Sequence, residues 1–243
     1  MRKGAERYGY ACISADYRLA PQVGVRDILE DVKDCIAFIR NELPKHVAED
    51  AVDVESLAVS GSSAGGYLAL LAGLYVDPKP DVILPIYPIT DPLGTFFTNP
   101  QPPPLGRPST SKDKVAQYLD PNVEAVANCT PNVEEDARMQ MYTYMLQSAN
   151  LAELLGVKDA KDAAPFRISR CVYEHRLPPA YFLHGDADSA VGVEQADEVV
   201  GAMLGCGVPV KYERPRGKDH FLDTGAEYEN NAMFSFMNEH LKP

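Results

Sequence analysis

A serine between two glycines in the first third of the chain has the residue pattern of a nucleophile. Residues 61–65 read GSSAG and fit the pattern G-x-S-x-G, with Ser63 at the centre. A predicted strand ends at Ser60 and a predicted helix covers residues 67–75, and this strand-turn-helix context exposes a nucleophilic hydroxyl. The same turn directs the Ala64 amide and the helix N-terminus at the reacting atom, where they can stabilise an oxyanion.

A histidine and a carboxylate must accompany this serine, because a serine hydroxyl is a weak nucleophile until an oriented base removes its proton. His220 lies between the last predicted strand and the last predicted helix, where open α/β sheets place their sites. The acid is expected directly after the predicted strand at residues 180–183. Asp186 and Asp188 both qualify there, and the residue types leave the choice open, whereas His184 at the strand end is predicted to be structural.

Strands and helices that alternate along the chain are predicted to position these residues. The apolar runs and helical spacings predict strands at residues 10–15, 56–60, 82–87, 180–183 and 208–212, and helices at residues 28–39, 67–75, 193–204 and 227–241. This alternation predicts an α/β fold with a mainly parallel sheet flanked by helices.

A segment that lacks the alternation, residues 91–165, predicts an inserted cap. Its proline-rich stretch at residues 99–108 (NPQPPPLGRP) is incompatible with a central strand or helix. We therefore expect the core to consist of residues 1–90 and 166–243.

The main helix of the insertion is expected to have Asn132 as its N-cap, with Glu135 three residues later, and to end at Gly156. One face of this helix carries methionine and tyrosine side chains. Packing against the core is sufficient to explain them, but such residues also suit an adaptable apolar pocket. The candidate substrate-binding residues are therefore Met141, Tyr142 and Met145, together with Ser62 beside the nucleophile.

The composition excludes several classes of partner. The chain has 243 residues, 35 acidic against 23 basic side chains and a formal net charge of −12, so its surface repels nucleic acid and anionic lipid. No apolar run approaches the roughly 18 residues of a membrane span, and no signal-peptide core follows Met1. The cysteines and histidines show no metal-ligand spacing. We expect a soluble, cytoplasmic protein without a metal.

Four motifs in order resemble those of the hormone-sensitive-lipase-like esterases, which have the α/β-hydrolase fold. They are DYRLAP at residues 16–21, GSSAGG at 61–66, HGDAD at 184–188 and DHF at 219–221. The resemblance spans nearly the whole chain, and the combination is far more specific than G-x-S-x-G alone. It implies a catalytic triad of Ser63, Asp188 and His220, because the acid of this family lies four residues after the histidine of the HGxxD turn.

The sequence has one serious departure from this family, besides lesser ones at Gln22 and Ser62. Members carry a His-Gly-Gly-Gly loop upstream of DYRLAP, whose amides supply most of the oxyanion hole, and this sequence lacks it. The family places the corresponding strand between those at residues 10–15 and 56–60, so we expect re-paired strands or a gap in the sheet. The Ala64 amide would then be almost the only hydrogen-bond donor in the oxyanion hole. We interpret the chain either as a truncated serine esterase or as a shortened relative whose oxyanion hole is rebuilt from other groups.

The leading interpretation is a serine hydrolase that cleaves a small-molecule carboxylic ester through an acyl-enzyme, with no cofactor. The same triad on this fold also cleaves amides and cyclic esters, so a peptidase or lactonase is a second possibility. A third is a non-catalytic binding protein, since the family also resembles plant hormone receptors that have lost the histidine. The presence of His220 argues against this interpretation, and the missing glycine loop argues for it.

Overall fold

Four parallel strands form the centre of the protein. A computed structural model describes residues 2–127, 137–225 and 228–241 of the chain. The strands pair in the order in which they occur, and they are β1 (Ala58–Ser62), β2 (Val82–Ile86), β3 (Ala180–Leu183) and β4 (Val210–Glu213). Because all four run in the same direction, their carboxyl ends lie at one edge of the sheet, where α/β proteins bind their ligands.

Helices flank this sheet and, in the described residues, supply all the regular structure between β2 and β3. They are α1 (Arg2–Tyr8), α2 (Val25–Asn41), α3 (Ala64–Tyr75), α4 (Thr95–Thr98), α5 (Lys112–Leu119), α6 (Ala137–Ser148), α7 (Leu151–Leu154), α8 (Ala160–Ala163), α9 (Ile168–Cys171), α10 (Glu194–Gly205) and α11 (Asn231–His240). Single turns of 3-10 helix occur at Leu43–Lys45, Pro104–Gly106 and Ala164–Phe166. None of the helices in the described ranges is both long and apolar enough to cross a bilayer.

The hydrophobic core lies on both faces of the sheet. Every residue of β2 is buried, as expected for an interior strand of a parallel sheet. Side chains alternate between faces along a strand, so Ile83 belongs to a large cluster with α3, α10 and the segment after β2. Val82, Leu84 and Ile86 belong to a second cluster, which is covered by α11.

The predicted α/β fold with a parallel sheet is confirmed. β3 has the predicted bounds, and the other three strands differ from the prediction by at most two residues at either end. The four long predicted helices correspond to α2, α3, α10 and α11, with ends that differ by up to four residues. Apolar periodicity therefore identified the elements that build the core, while their ends depend on tertiary contacts.

The prediction of a strand at residues 10–15 is wrong. These residues form no regular secondary structure, and residues 11–16 are exposed. The sheet ends at β1, whose own residues are only partly buried, and none of the described residues forms a strand on that side. An apolar run becomes a strand only when a neighbouring strand satisfies its backbone hydrogen bonds, so the expected gap in the sheet leaves this segment without a partner.

The predicted long helix of the insertion is also corrected. Helix α6 ends at Ser148, because Ala149 adopts a left-handed conformation with φ of 52°, and the short α7 follows. Gly156 comes after α7 and not at the end of a continuous helix. The predicted N-cap Asn132 and its partner Glu135 lie outside the described residues.

A buried ion pair attaches the chain after β2 to the helices that pack behind the sheet. The Arg167 guanidinium donates to both carboxylate oxygens of Asp91, with distances of 2.7 to 2.9 Å. The side chains of Arg167 and Asp91 are 15% and 4% exposed. The Gln195 side-chain oxygen accepts hydrogen bonds from the backbone amides of Thr90 and Asp91. The segment that follows β2 is therefore held against α9 and α10.

Replacing Arg167 by methionine should lower the free energy of unfolding by about 3 kcal/mol or more, because it leaves the buried Asp91 carboxylate without its counter-charge. The matched control is Lys45→Met, which breaks the exposed pair with Glu42 and should have a much smaller effect, because water screens exposed charges. Urea denaturation of both variants measures the difference. Equal losses would contradict the structural importance of the buried pair.

Candidate active site

The turn between β1 and α3 holds Ser63 in a strained backbone conformation. Ser63 has φ of 56° and ψ of −118°, a combination that non-glycine residues adopt rarely and mostly at functional sites. Its backbone amide donates a 2.9 Å hydrogen bond to the carbonyl of Ile86 at the end of β2. The turn is so tight that a Cβ atom on Gly61 would lie 2.3 Å from the backbone of Gly65. The first glycine of the pattern is therefore required sterically.

The Ala64 amide lies where the sequence predicts an oxyanion donor. Ala64 is the first residue of α3 and is exposed. The first amides of a helix have no acceptor within the helix, and they carry its partial positive charge. The Ala64 amide is therefore suited to stabilising a negative oxygen beside Ser63.

Asp188 and His220 are in direct contact. The loop after β3 carries Asp188 and the loop after β4 carries His220, and the imidazole Nδ1 lies 2.7 Å from Asp188 Oδ2. The other carboxylate oxygen accepts hydrogen bonds from the backbone amides of Ala190 and Val191 at 2.9 and 2.8 Å. Both side chains are almost completely buried. With Nδ1–H donating to the carboxylate, His220 Nε2 is the atom that can accept a proton.

His184 is a second histidine at the same carboxylate. It is completely buried at the end of β3, and its Nε2 atom lies 2.9 Å from the Val191 carbonyl and 3.3 Å from Asp188 Oδ2. Burial by itself would raise the pKa of Asp188. Hydrogen bonds with His184 and His220, the charge of His220 and the Val191 amide outweigh burial and lower this pKa to about 2. Asp188 is therefore ionised at neutral pH, and His184 helps to hold it.

The loops after β3 and β4 are attached to each other by two further aspartates. Asp186 accepts a hydrogen bond from the Gly217 amide. Asp219 accepts hydrogen bonds from the amide and hydroxyl of Ser189 at 2.7 and 2.9 Å. The backbones approach so closely that a Cβ on Gly185 would lie 2.2 Å from the Lys218 carbonyl oxygen. Of the two aspartates that the sequence left open, Asp188 contacts the imidazole and Asp186 contacts backbone.

The family model described as BD-FAE matches residues 1–203. The chain belongs to this family. Its fold resembles that of a Pyrobaculum calidifontis esterase, with a TM-score of 0.65 and 20% identity over 99% of this chain and 70% of the other. It also resembles an α/β-hydrolase superfamily protein from Enterococcus faecalis, with a TM-score of 0.65 and 20% identity over 92% of this chain and 74% of the other. These structures show an α/β-hydrolase fold.

Two curated relatives of this BD-FAE family chain differ in the share of their own length that the chain covers. It is 25% identical to the non-reducing polyketide synthase ausA of Aspergillus calidoustus over 90% of its own length, but it spans only 11% of that synthase. It is 24% identical to the probable carboxylesterase clz11 of Cochliobolus lunatus, over 74% of this chain and 85% of the other. The chain therefore corresponds to a small part of the polyketide synthase and to most of the probable carboxylesterase.

The four residues that the sequence predicts to bind substrate lie in two different parts of the structure. Met141 and Met145 on α6 are buried within the larger hydrophobic cluster. The Tyr142 hydroxyl donates a 2.7 Å hydrogen bond to the Ala190 carbonyl in the loop that holds Asp188. Burial, and next the charge of Asp188, raises the pKa of Tyr142. Ser62 is exposed at the end of β1. The structure thus places Tyr142 and Ser62 near the site, and the two methionines behind it in the core.

Tyr87 is a residue of the site that sequence reasoning missed. It directly follows β2, and its ring centroid lies 4.3 Å from that of His220. Its hydroxyl donates a short hydrogen bond to the Asp223 carboxylate. A signal for it existed in the sequence, because Tyr87 stands at the carboxyl end of a predicted interior strand, at the same edge as the other site residues.

The close approach within the nucleophile turn predicts different effects for its two glycines. Gly61→Ala should lower the free energy of unfolding by about 1–3 kcal/mol, because its methyl group meets the Gly65 backbone. Gly65→Ala is the matched control. A Cβ there meets no atom within 4 Å, and alanine favours a helix over glycine, so stability should stay the same or rise by up to about 1 kcal/mol. Thermal denaturation compares the two, and a more stable Gly61→Ala variant would be inconsistent with this turn.

The lowered pKa of Asp188 predicts a loss of stability in acid. Its pKa lies below the unfolded value of 3.8, so its contribution is complete above about pH 4 and is lost as the pH falls toward 2. The full contribution is about 2 kcal/mol. Urea denaturation at pH 5 and at pH 3 should show a smaller loss for Asp188→Asn than for the wild type. The same pH dependence in both proteins would contradict the assignment.

Proposed function

We propose that this chain is a serine hydrolase that cleaves carboxylic esters, with Ser63 as nucleophile, His220 as general base and Asp188 as the residue that orients His220. The observation that carries the proposal is the 2.7 Å contact between His220 Nδ1 and Asp188, formed at the same sheet edge as the strained turn of Ser63. A nucleophile, a base and an orienting acid on three separate loops are the requirements for acyl transfer through a covalent intermediate.

The reaction follows from the protonation states of these groups. His220 Nε2 takes the proton of the Ser63 hydroxyl as the oxygen attacks the ester carbon, and the resulting imidazolium is stabilised by ionised Asp188. The imidazolium then protonates the leaving alcohol. A water molecule, activated by the same Nε2 atom, attacks the acyl-enzyme and releases the acid, which regenerates Ser63.

The Ala64 amide supplies one hydrogen bond to the oxyanion in this mechanism. Loss of one such donor costs about 2.7–4 kcal/mol of transition-state stabilisation in serine hydrolases, a factor of roughly 100 to 1000 in rate. Ala64 alone would therefore support slow turnover. Rapid turnover would mean that a second donor contributes, since the mechanism requires more stabilisation than one amide provides.

The proposed substrates are small, soluble esters with short or medium acyl chains or aromatic acyl groups. Residues 91–165 would act as the cap over the site, and the hydrogen bond from Tyr142 to the Ala190 carbonyl joins this segment to the loop that carries Asp188. The formal charge of −12 disfavours anionic surfaces as partners. The cytoplasmic location and the lack of a nucleic-acid partner stay predictions from composition.

The contact between His220 and Asp188 favours catalysis over ligand binding alone, because a binding protein does not need an imidazole oriented by a buried carboxylate. A peptidase or a lactonase would use the same groups. Turnover of peptide and lactone substrates beside simple esters separates these possibilities.

Substitution of the three proposed catalytic residues should abolish ester turnover. Hydrolysis of p-nitrophenyl acetate and butyrate should fall by about 10⁴-fold or more in Ser63→Ala and His220→Ala, and by about 10⁴-fold in Asp188→Asn. A fluorophosphonate probe should label the wild type and not Ser63→Ala. The matched control is His46→Ala, an exposed histidine, which should retain most of the activity.

Two results would contradict the proposal in different ways. Activity that survives in Ser63→Ala would mean that another group performs the chemistry. A folded wild type that neither hydrolyses esters nor reacts with the probe would instead support the interpretation as a binding protein. Labelling without turnover would place the defect after acylation or in the oxyanion hole, and the covalent role of Ser63 would stand.

A further inference from the structure

Tyr87 occupies the centre of the sheet edge where the site lies. It follows β2, an interior strand, and its backbone amide donates a 2.6 Å hydrogen bond to the Leu183 carbonyl at the end of β3. Its side chain is almost fully buried, with 1% of the residue exposed. Its φ of 34° is positive, which is costly for a residue with a Cβ and persists only where surrounding contacts enforce it. The fold therefore holds Tyr87 in one strained position.

The ring of Tyr87 packs directly against His220. The two ring centroids are 4.3 Å apart and the planes are inclined by 53°. Phe221 contacts both rings edge-on, with centroid distances of 4.7 Å to His220 and 6.2 Å to Tyr87. The hydrogen bond to Asp188 fixes one nitrogen of the imidazole but leaves rotation about that bond. Contact with the Tyr87 ring restricts this rotation.

The hydroxyl of Tyr87 connects this residue to the segment that follows His220. It donates to Asp223, three residues after His220. Burial, and next the hydrogen bond to Asp223, raises the pKa of Tyr87 far above its usual value. The phenol is therefore neutral and remains a donor throughout the working pH range. One side chain thus contacts both the histidine and the segment after it.

We propose that Tyr87 is a positioning residue for the hydrolysis: its ring sets the orientation of His220, and the hydrogen bond of its hydroxyl with Asp223 fixes that ring. The proposal rests on the proposed function, in which His220 Nε2 must face the Ser63 hydroxyl. It assigns no chemical step to Tyr87, which neither donates a proton to the substrate nor contacts the reacting atoms.

The test compares Tyr87→Phe, Tyr87→Leu and Tyr181→Phe. Tyr181 is a matched control, because it is a fully buried tyrosine on the neighbouring strand β3, hydrogen-bonded to Asn230, and its ring contacts are with Phe236 and Lys211. We expect Tyr87→Phe to lower kcat about 10-fold and Tyr87→Leu about 100-fold with KM nearly unchanged, since small misplacements of a catalytic group act on kcat. Tyr181→Phe should stay within about twofold of the wild type if it acts on stability alone.

A second measurement is independent of turnover. The carbon-bound ring protons of His220, assigned by NMR with His220→Ala, should shift in Tyr87→Leu through loss of the ring current, and should also move in Tyr87→Phe if the hydroxyl fixes the ring. Tyr181→Phe should leave them in place.

The outcomes separate the two proposals. Equal kcat values for Tyr87→Phe, Tyr181→Phe and the wild type would overturn the positioning role while ester hydrolysis stands, and Tyr87→Phe decides this even if Tyr87→Leu does not fold. An inactive wild type would overturn the proposed function. The His220 resonances would then still decide whether Tyr87 orients the ring, and unchanged resonances in Tyr87→Phe and Tyr87→Leu would overturn the inference too.

Discussion

The parallel pairing of β1 to β4 in chain order is the constraint on which the site depends. Because each strand points the same way, the residue that follows each strand emerges at one edge of the sheet. Ser63 follows β1, Tyr87 follows β2, Asp188 lies after β3 and His220 lies after β4. Residues that are up to 157 positions apart in the chain thus lie at the same edge of the sheet.

Side-chain hydrogen bonds between the loops after β3 and β4 fix their relative position more closely than the sheet does. Strand ends place the two loops side by side, but a hydrogen bond of 2.7 Å between Asp188 and His220 needs closer control than strand spacing provides. Asp186 and Asp219 supply this control, because each accepts a backbone hydrogen bond from the opposite loop. Three aspartates therefore join the two loops. Asp188 contacts the imidazole of His220, and Asp186 and Asp219 each bind backbone of the opposite loop.

Asp188 can be buried in its charged form because protein groups provide the hydrogen bonds that water would otherwise provide. Two backbone amides bind one carboxylate oxygen and two histidines approach the other. An unpaired buried carboxylate would be protonated and could not stabilise an imidazolium. The buried pair of Asp91 and Arg167 follows the same rule at the base of the insertion. In this strongly acidic chain, both of these buried carboxylates have specific donors.

The sequence by itself determined the α/β class, the approximate positions of the four strands along the chain, the turn at Ser63 and the loop that carries His220, because strand and helix periods and the G-x-S-x-G turn are encoded in neighbouring residues. Tertiary structure decided the rest. A choice between Asp186 and Asp188 depends on how two loops pack, and residues 10–15 form no strand because strand formation needs a partner. The contact between Tyr87 and His220 likewise joins residues 133 positions apart, so no local pattern contains it.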